Sequence, residues 1–385
     1  MKVCIASTYP PSPCGIGTYT RQLALELAKR RDLEVTILAE RGPASELGEP
    51  GVAVVRAYHR DCDWVAELSK AAIEAQADLV HVQHAPDLFG CDQKLPQLAR
   101  TLASNGIRSV VTLHTVHTRS SAAMERRRNP ASFYRELGQS TDAIVVHQAE
   151  VALRELGARI DSERLHVIAH GTPAPDLPER KESRSALGLP EDQPFVVCVG
   201  FVHIQKNFHT VIRAAALART RLPRLRLMLV GSMLNRTWFN RGYFAWLRRL
   251  ARDAGGPGAV DVEERYVTDQ EMLSLYRAAD LALFPYWEGY ASASGMLHSA
   301  IAAHTPMLCS RSPKFAEAAE LLGQEVRIGT FSVDGWSNAM TKLLENPSRL
   351  ADMRQALRRY AEQTSWARVA AQTHELYEAL VARSG

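Results

Sequence analysis

The chain has 385 residues, too many for one ordinary hydrophobic core, so two domains are expected. With 46% hydrophobic residues, 23% charged residues and a formal net charge of +4, it reads as a globular protein whose charge forces no face onto nucleic acid or an anionic membrane. Its six cysteines show no CxxC pair and no metal-ligand spacing, which fits a reduced, cytoplasmic setting, and no apolar run nears the ~18 residues of a membrane span.

Taken in order, the first half alternates short apolar runs with amphipathic helical stretches. Strands are expected at KVCIAS, EVTILAE, VAVVRAY, LVHVQHA, SVVTLHT, AIVVHQ and LHVIAHG. The opening KVCIAS ends in a Pro-rich loop and reads as a first strand, not a signal peptide. Among the helices, TYTRQLALELAKRR carries Leu23, Leu27 and Ala28 on one face. Residues 173–194, rich in Pro and charge, read as a linker. The alternation then restarts with strands FVVCVG, LRLMLVG and LALFPY and the helices FHTVIRAAALART and YFAWLRRLARDAG. The expected architecture is α/β, two Rossmann-like domains facing a cleft: residues 1–172, then the linker, then residues 195–365. A terminal helix over residues 366–385 has Trp366, Val369, Leu376 and Leu380 for docking.

Four strand-end loops carry candidate chemistry. In TYPPSPCGIGTYT, Gly15 and Gly17 open a helix whose N-terminus favours an anion. The same loop is equally read as a tight turn packing helix on sheet, since neither a P-loop nor a complete GxGxxG is present. In VGFVHIQKNFHT, Lys206 follows Gly200 by six residues and offers a point charge for phosphate, or is simply a solvated lysine. In PYWEGYASASGMLHSAIAAHTP, the strand LALF runs through small residues into a helix start at Ser294, Gly295, Met296 and Leu297. Backbone N–H groups there and one lysine together would make a diphosphate site. The fourth feature is a set of strand-end histidines: His81, His84, His114, His117 and His170. HxxH spacing on strands is a weak zinc signal, no acidic pair is placed for a divalent ion, and no metal or other cofactor is assigned. The run with Arg126, Arg127, Arg128 and Arg135 is a solvated face or a grip for an anionic acceptor or lipid surface.

Together these loops resemble those of the GT-B glycosyltransferases, in particular the retaining glycosyltransferase family 4. The resemblance runs from the Gly15–Gly17 loop through HVQHAPDLFG, VTLHTVHT, HVIAHGT, VGFVHIQKN and LYRAADLALFPYWEG to the terminal TSW…LY segment. It implies a donor nucleotide sugar held mainly by the second domain and a terminal helix that crosses back to the first. By position, Lys206 matches the lysine at the donor diphosphate, Ser294 to Leu297 the phosphate-binding backbone, and Gly15 and Gly17 the loop closing over donor and acceptor. His114 matches the histidine at the transferred sugar near the reacting centre. The family's paired glutamates are replaced by Ala291 and Ser299, with Glu288 three positions before the first, so Glu288 and Ser299 are the candidates toward donor sugar and nucleoside. Phe201 stands where the family often has arginine.

The expected reaction is transfer of a sugar from a nucleoside diphosphate sugar to a hydroxyl of a small molecule or glycan, with retained configuration and the acceptor near His84 and Asp87. At most peripheral membrane contact, and no nucleic acid, is expected. A sugar-nucleotide epimerase of the same fold and a non-catalytic nucleotide-sugar-binding scaffold are the alternatives.

Overall fold

The computed structural model describes residues 1–12, 14–42, 49–117, 130–174, 176–233, 236–287 and 289–382. The chain divides into two compact units. The first comprises Met1–Gly171, Tyr290–Ala293 and Thr364–Gly385; the second comprises Thr172–Gly289 and Ser294–Gln363.

The first unit is built on a seven-stranded, wholly parallel sheet. Its strands are β1 (Lys2–Ser7), β2 (Glu34–Glu40), β3 (Val52–Tyr58), β4 (Leu79–His84), β5 (Arg108–Leu113), β7 (Ala143–Val146) and β8 (Leu165–Val167), in the order β3-β2-β1-β4-β5-β7-β8. A short β6 (Thr115–Val116) pairs antiparallel with β13 (Ala291–Ser292). Central strands are buried on both faces, as parallel strands covered by helices must be, and read as continuous apolar runs. The edge strand β3 instead exposes Val54 and Val55.

The second unit repeats the plan with six parallel strands. They are β9 (Phe195–Val199), β10 (Arg226–Gly231), β11 (Val260–Glu264), β12 (Leu281–Phe284), β14 (Met307–Ser310) and β15 (Arg327–Ile328), in the order β11-β10-β9-β12-β14-β15. Both sheets reverse direction of winding beside their first strand, between β1 and β4 and between β9 and β12. Each unit is therefore Rossmann-like, with a ligand crevice expected beyond the carboxyl ends of those strand pairs.

One segment differs from the sequence expectation. Residues 173–194 are not a bare linker: they carry a helix, Arg180–Ala186, started by a capping box between Glu179 and Glu182. That helix buries Arg184, which donates to the carbonyls of Ala278 and Pro190 and lies 3.5 Å from Asp280. A buried guanidinium with this many acceptors fixes the segment to the second unit, which a reading of Pro and charge content misses. The Trp366–Ala382 helix lies in the first unit, where Tyr377 reaches His81 and the Trp366 ring covers Gly171. A Cβ on Gly171 would stand 2.2 Å from that indole, so only glycine fits.

Candidate functional site

In the second unit the switch point is formed by the loops after β9 and β12. β9 is followed directly by Gly200, whose φ of 138° suits glycine, and a one-turn helix Ile204–Lys206 then delivers the lysine. Next comes Asn207, in the left-handed region at φ 54° and fully buried. Its amide Nδ2 donates to the carbonyls of Pro285 and Thr330 at 3.0 and 2.7 Å, and its Oδ1 accepts from Thr210 at 2.7 Å. One buried side chain thus ties the lysine loop to the end of β12. The Lys206 ammonium lies 3.5 Å from the centre of the Tyr286 ring, close enough for cation–π attraction.

The strand pair is held close by Gly231 at the end of β10, where a Cβ would fall 1.8 Å from the Gly200 carbonyl oxygen. A Cβ on Gly200 would itself meet Met296 and the Tyr286 hydroxyl at 3.7 and 3.8 Å. Gly200, Tyr286, Lys206 and the first turn of the Gly295–Ala302 helix are therefore neighbours.

That helix is capped by Ser294, whose hydroxyl accepts from the Leu297 amide at 3.3 Å. The cap changes the expected phosphate contacts: the Leu297 N–H is already used, while those of Gly295 and Met296 have no protein acceptor among the described residues. Gly295 is exposed and Met296 half-buried, whereas Leu297 is buried. Ser299, expected at the nucleoside, is buried and its hydroxyl donates to the Gly295 carbonyl at 3.0 Å. Ala291 is buried too, paired with Val116 in the first unit's core. Glu288 and the run Arg126 to Arg128 lie outside the described residues.

Sequence reasoning missed the residue beneath this turn. His298 is fully buried, with Nδ1 2.9 Å from the Thr172 hydroxyl and Nε2 3.3 Å from Glu317, which in turn accepts from the Tyr360 hydroxyl. Only the unusual placement of a histidine inside an otherwise apolar helix signals it.

In the first unit, the strand-end histidines are brought together by the sheet. His81 and Gln83 on β4, Thr112 on β5, and His114 just after β5 share one side of it with His147 after β7. His81 Nδ1 meets the Tyr377 hydroxyl at 2.6 Å and its Nε2 meets Thr112 at 2.7 Å. The Gln83 amide bridges His81 and His114, at 3.2 and 2.8 Å. His114 Nδ1 then faces His147 Nε2 at 3.2 Å, and His147 Nδ1 donates to the Ile168 carbonyl at 3.0 Å. Tyr19, from the helix Gly15–Leu27, packs against His114, His147, His170 and Trp366 with ring centres 4.6 to 5.3 Å apart. Burial holds His81 down at about 3 and His114 well below the usual imidazole range, with neighbouring histidines adding to the effect. Both rings are neutral at pH 7.

His114, His147 and Gln148 also line a small hollow with Ala291, Ser292 and Ala293. His84, expected near the acceptor, is fully buried, its Nε2 donates to the Gly90 carbonyl at 2.7 Å, and burial holds it down at about 4. That bond braces the turn at Gly90, whose φ is 71°, so the ring is structural. Asp87 remains exposed. Gly17 would place a Cβ 3.2 Å from the Thr8 carbonyl and is needed for packing; at Gly15 the space is open, so packing does not account for it.

Among the described residues, Asp32, His374 and Glu378 form the group nearest to metal-ligand spacing. Asp32 lies 2.8 Å from Nε2 and Glu378 3.6 Å from Nδ1, on opposite edges of the imidazole, which suits ion pairing and not one shared ion.

Two family profiles divide the chain: one described as Glycosyltransferase Family 4 matches residues 13–174, and one described as Glycosyl transferases group 1 matches residues 179–364. The chain is 24% identical over 408 aligned residues to a D-inositol 3-phosphate glycosyltransferase of Pseudarthrobacter chlorophenolicus, covering 96% of this chain and 91% of that protein. Its fold is similar to sucrose-phosphate synthase from Thermosynechococcus elongatus, with TM-score 0.76, 19% identity and all of both chains covered. It is also similar to Anabaena HepE in complex with UDP and glucose, with TM-score 0.72, 16% identity and 98% and 100% of the two chains covered.

Proposed function

The chain is a GT-B glycosyltransferase, and we propose that it moves a sugar from a nucleoside diphosphate sugar to an acceptor hydroxyl with retention of anomeric configuration. The observation that carries this reading is the convergence of Lys206, Gly200 and the free first-turn amides of Gly295 and Met296 at the second unit's switch point. A diphosphate fits such a place: fixed N–H dipoles and one ammonium oppose its charge, and oppose it more strongly as the sugar departs. The leaving phosphate takes the acceptor proton, so no carboxylate base is needed. His114, which matches the family's histidine at the transferred sugar, is a neutral ring lining a small hollow of the first unit, and Gly15 leaves backbone room in that unit for a ligand.

UDP is the first base to try, because HepE carries it in a similar fold. The acceptor is a hydroxyl on a phosphorylated polyol or glycan, a class suggested by the inositol phosphate in the relative's name. The test is a thermal-shift panel of UDP, GDP, ADP and dTDP on wild type and Lys206→Ala. A nucleotide at ~100 times its dissociation constant stabilises by about 2.7 kcal/mol, a shift of roughly 5–10 °C for domains of this size. One nucleotide giving that shift, lost in the variant, supports the reading; silence from all four sinks it. Conversion of the donor without added acceptor would instead indicate epimerisation.

A further inference from the structure

The helix Trp238–Asp253 in the second unit packs one face inward through Tyr243, Phe244, Leu247 and Ala251. Its other face is unlike an ordinary solvated surface. Trp238 is 85% exposed, with Phe239 and Trp246 exposed at 48% and 37% on the same side. Interleaved with these rings are Arg241, Arg248, Arg249 and Arg252, all exposed, and the single acid on the helix is Asp253. None of the four guanidiniums pairs with a carboxylate among the described residues, whereas Arg236 just before the helix is engaged by Glu264 at 3.0 Å.

On a 3.6-residue wheel the outward stripe has Trp238 and Arg249 at its centre. Arg241, Arg248 and Arg252 lie on one flank and Phe239 and Trp246 on the other, with Gly242, Ala245 and, in the last turn, the exposed Asp253 between, so no bulky or acidic side chain interrupts the stripe before its C-terminal end. It is about 24 Å long.

We propose that this helix is a docking face for an anionic lipid bilayer. The charge is complementary to phospholipid headgroups, and the exposed indole and phenyl rings, Trp238 above all, have the amphipathic character that settles at the headgroup–acyl boundary. An acidic protein or free polyanion would satisfy the arginines but would leave the 85% exposed Trp238 unexplained. No helix among the described residues is long and apolar enough to cross a membrane, so attachment is peripheral. The inference is independent of the donor site.

The experiment is co-sedimentation of the whole chain with vesicles of phosphatidylcholine alone and with one-quarter phosphatidylglycerol, at low and physiological salt. Wild type binds the anionic vesicles and loses binding as salt rises. Trp238→Ala/Phe239→Ala and Arg249→Glu/Arg252→Glu each weaken binding by about tenfold or more, with melting temperature and nucleotide-induced shift unchanged. Should a double variant not fold, Trp238→Ala alone serves, since that ring packs on little of the protein. Equal binding to neutral vesicles, no binding to either, or undiminished binding by both variants overturns the proposal. So does capture of soluble inorganic polyphosphate with no vesicle binding, which would make the face a polyanion site.

Discussion

The Lys206 ammonium lies 3.5 Å from the centre of the Tyr286 ring, which joins the loop after β9 to the loop after β12 across the second unit's switch point. The ring's negative face steadies a cation that the proposed reaction needs at the departing diphosphate. Lys206→Ala is therefore expected to lower kcat/KM by about 10²–10³, the range seen when one charge-stabilising group is removed. Steady-state kinetics on the donor found in the nucleotide panel would show it. Tyr286→Phe keeps the ring face and should lose far less; a loss as large as that of Lys206→Ala would mean the hydroxyl, not the ring, holds the lysine.

Gly231→Ala tests whether the strand ends must touch. The added Cβ would fall 1.8 Å from the Gly200 carbonyl, a backbone atom that moves only with its loop. Because Gly200 neighbours Met296 and Tyr286, the shift is carried into the phosphate turn. Nucleotide affinity should fall at least tenfold while the far-ultraviolet circular dichroism spectrum keeps its helix and strand content. An unchanged dissociation constant by calorimetry would show that the turn tolerates displacement.

Most of the sheet is legible in the sequence because buried parallel strands are continuous apolar runs; FVVCV and LALF announce themselves. β11, VDVEE, does not, since its charged residues hide a strand on the edge of the sheet, and β15 is only two residues long. β6 and β13 are two residues each and exist only through their pairing with one another. Lys206 and the Ser294 cap are local features of loop and helix start, and a sequence states them directly. The histidine chain is not local. Nothing in sequence spacing shows that Tyr377 meets His81 across 296 positions, or that His84, next to Gln83, turns away to Gly90.

Those buried histidines set a pH dependence with a definite sign. His81 and His84 are held at about 3 and 4, and His114 well below its usual range, by desolvation. In the unfolded chain each titrates near 6.5. Above that value neither state binds the protons and the stability is fully present. Below it the unfolded state binds protons that the native state refuses, so stability falls steadily from about pH 6.5 toward pH 4. Between pH 7 and 5 each histidine should cost about 2 kcal/mol, roughly 5–6 for the three. Urea unfolding of the first unit's transition at several pH values measures this; a flat profile would mean the rings are hydrated or charged in the native state.

Gln83 decides whether the His114–His147 pair carries a charge. With Gln83 Oε1 facing His114 Nε2 at 2.8 Å, His114 must donate there and accept from His147 at Nδ1. His147 already donates to the Ile168 carbonyl, so it would hold protons on both nitrogens and be a buried cation. Turning the amide by 180° removes the difficulty. Its Nε2 then donates to His114, His114 donates to His147, and His81 donates to Oε1 while accepting from Tyr377, all with neutral rings. Burial favours that neutral arrangement. Gln83→Glu places a carboxyl between His81 and His114, and that site should keep one proton across pH 5–7 whichever partner carries it. The acid-side slope of stability should fall by one proton, about 1.4 kcal/mol per pH unit, and a new loss should appear as pH rises above 7. Gln83→Met, which only removes partners, should lower stability by about 1–3 kcal/mol at every pH and leave the slope unchanged. An identical slope in Gln83→Glu and wild type would show that a proton already resides on the histidine chain, and that the charged orientation is the native one.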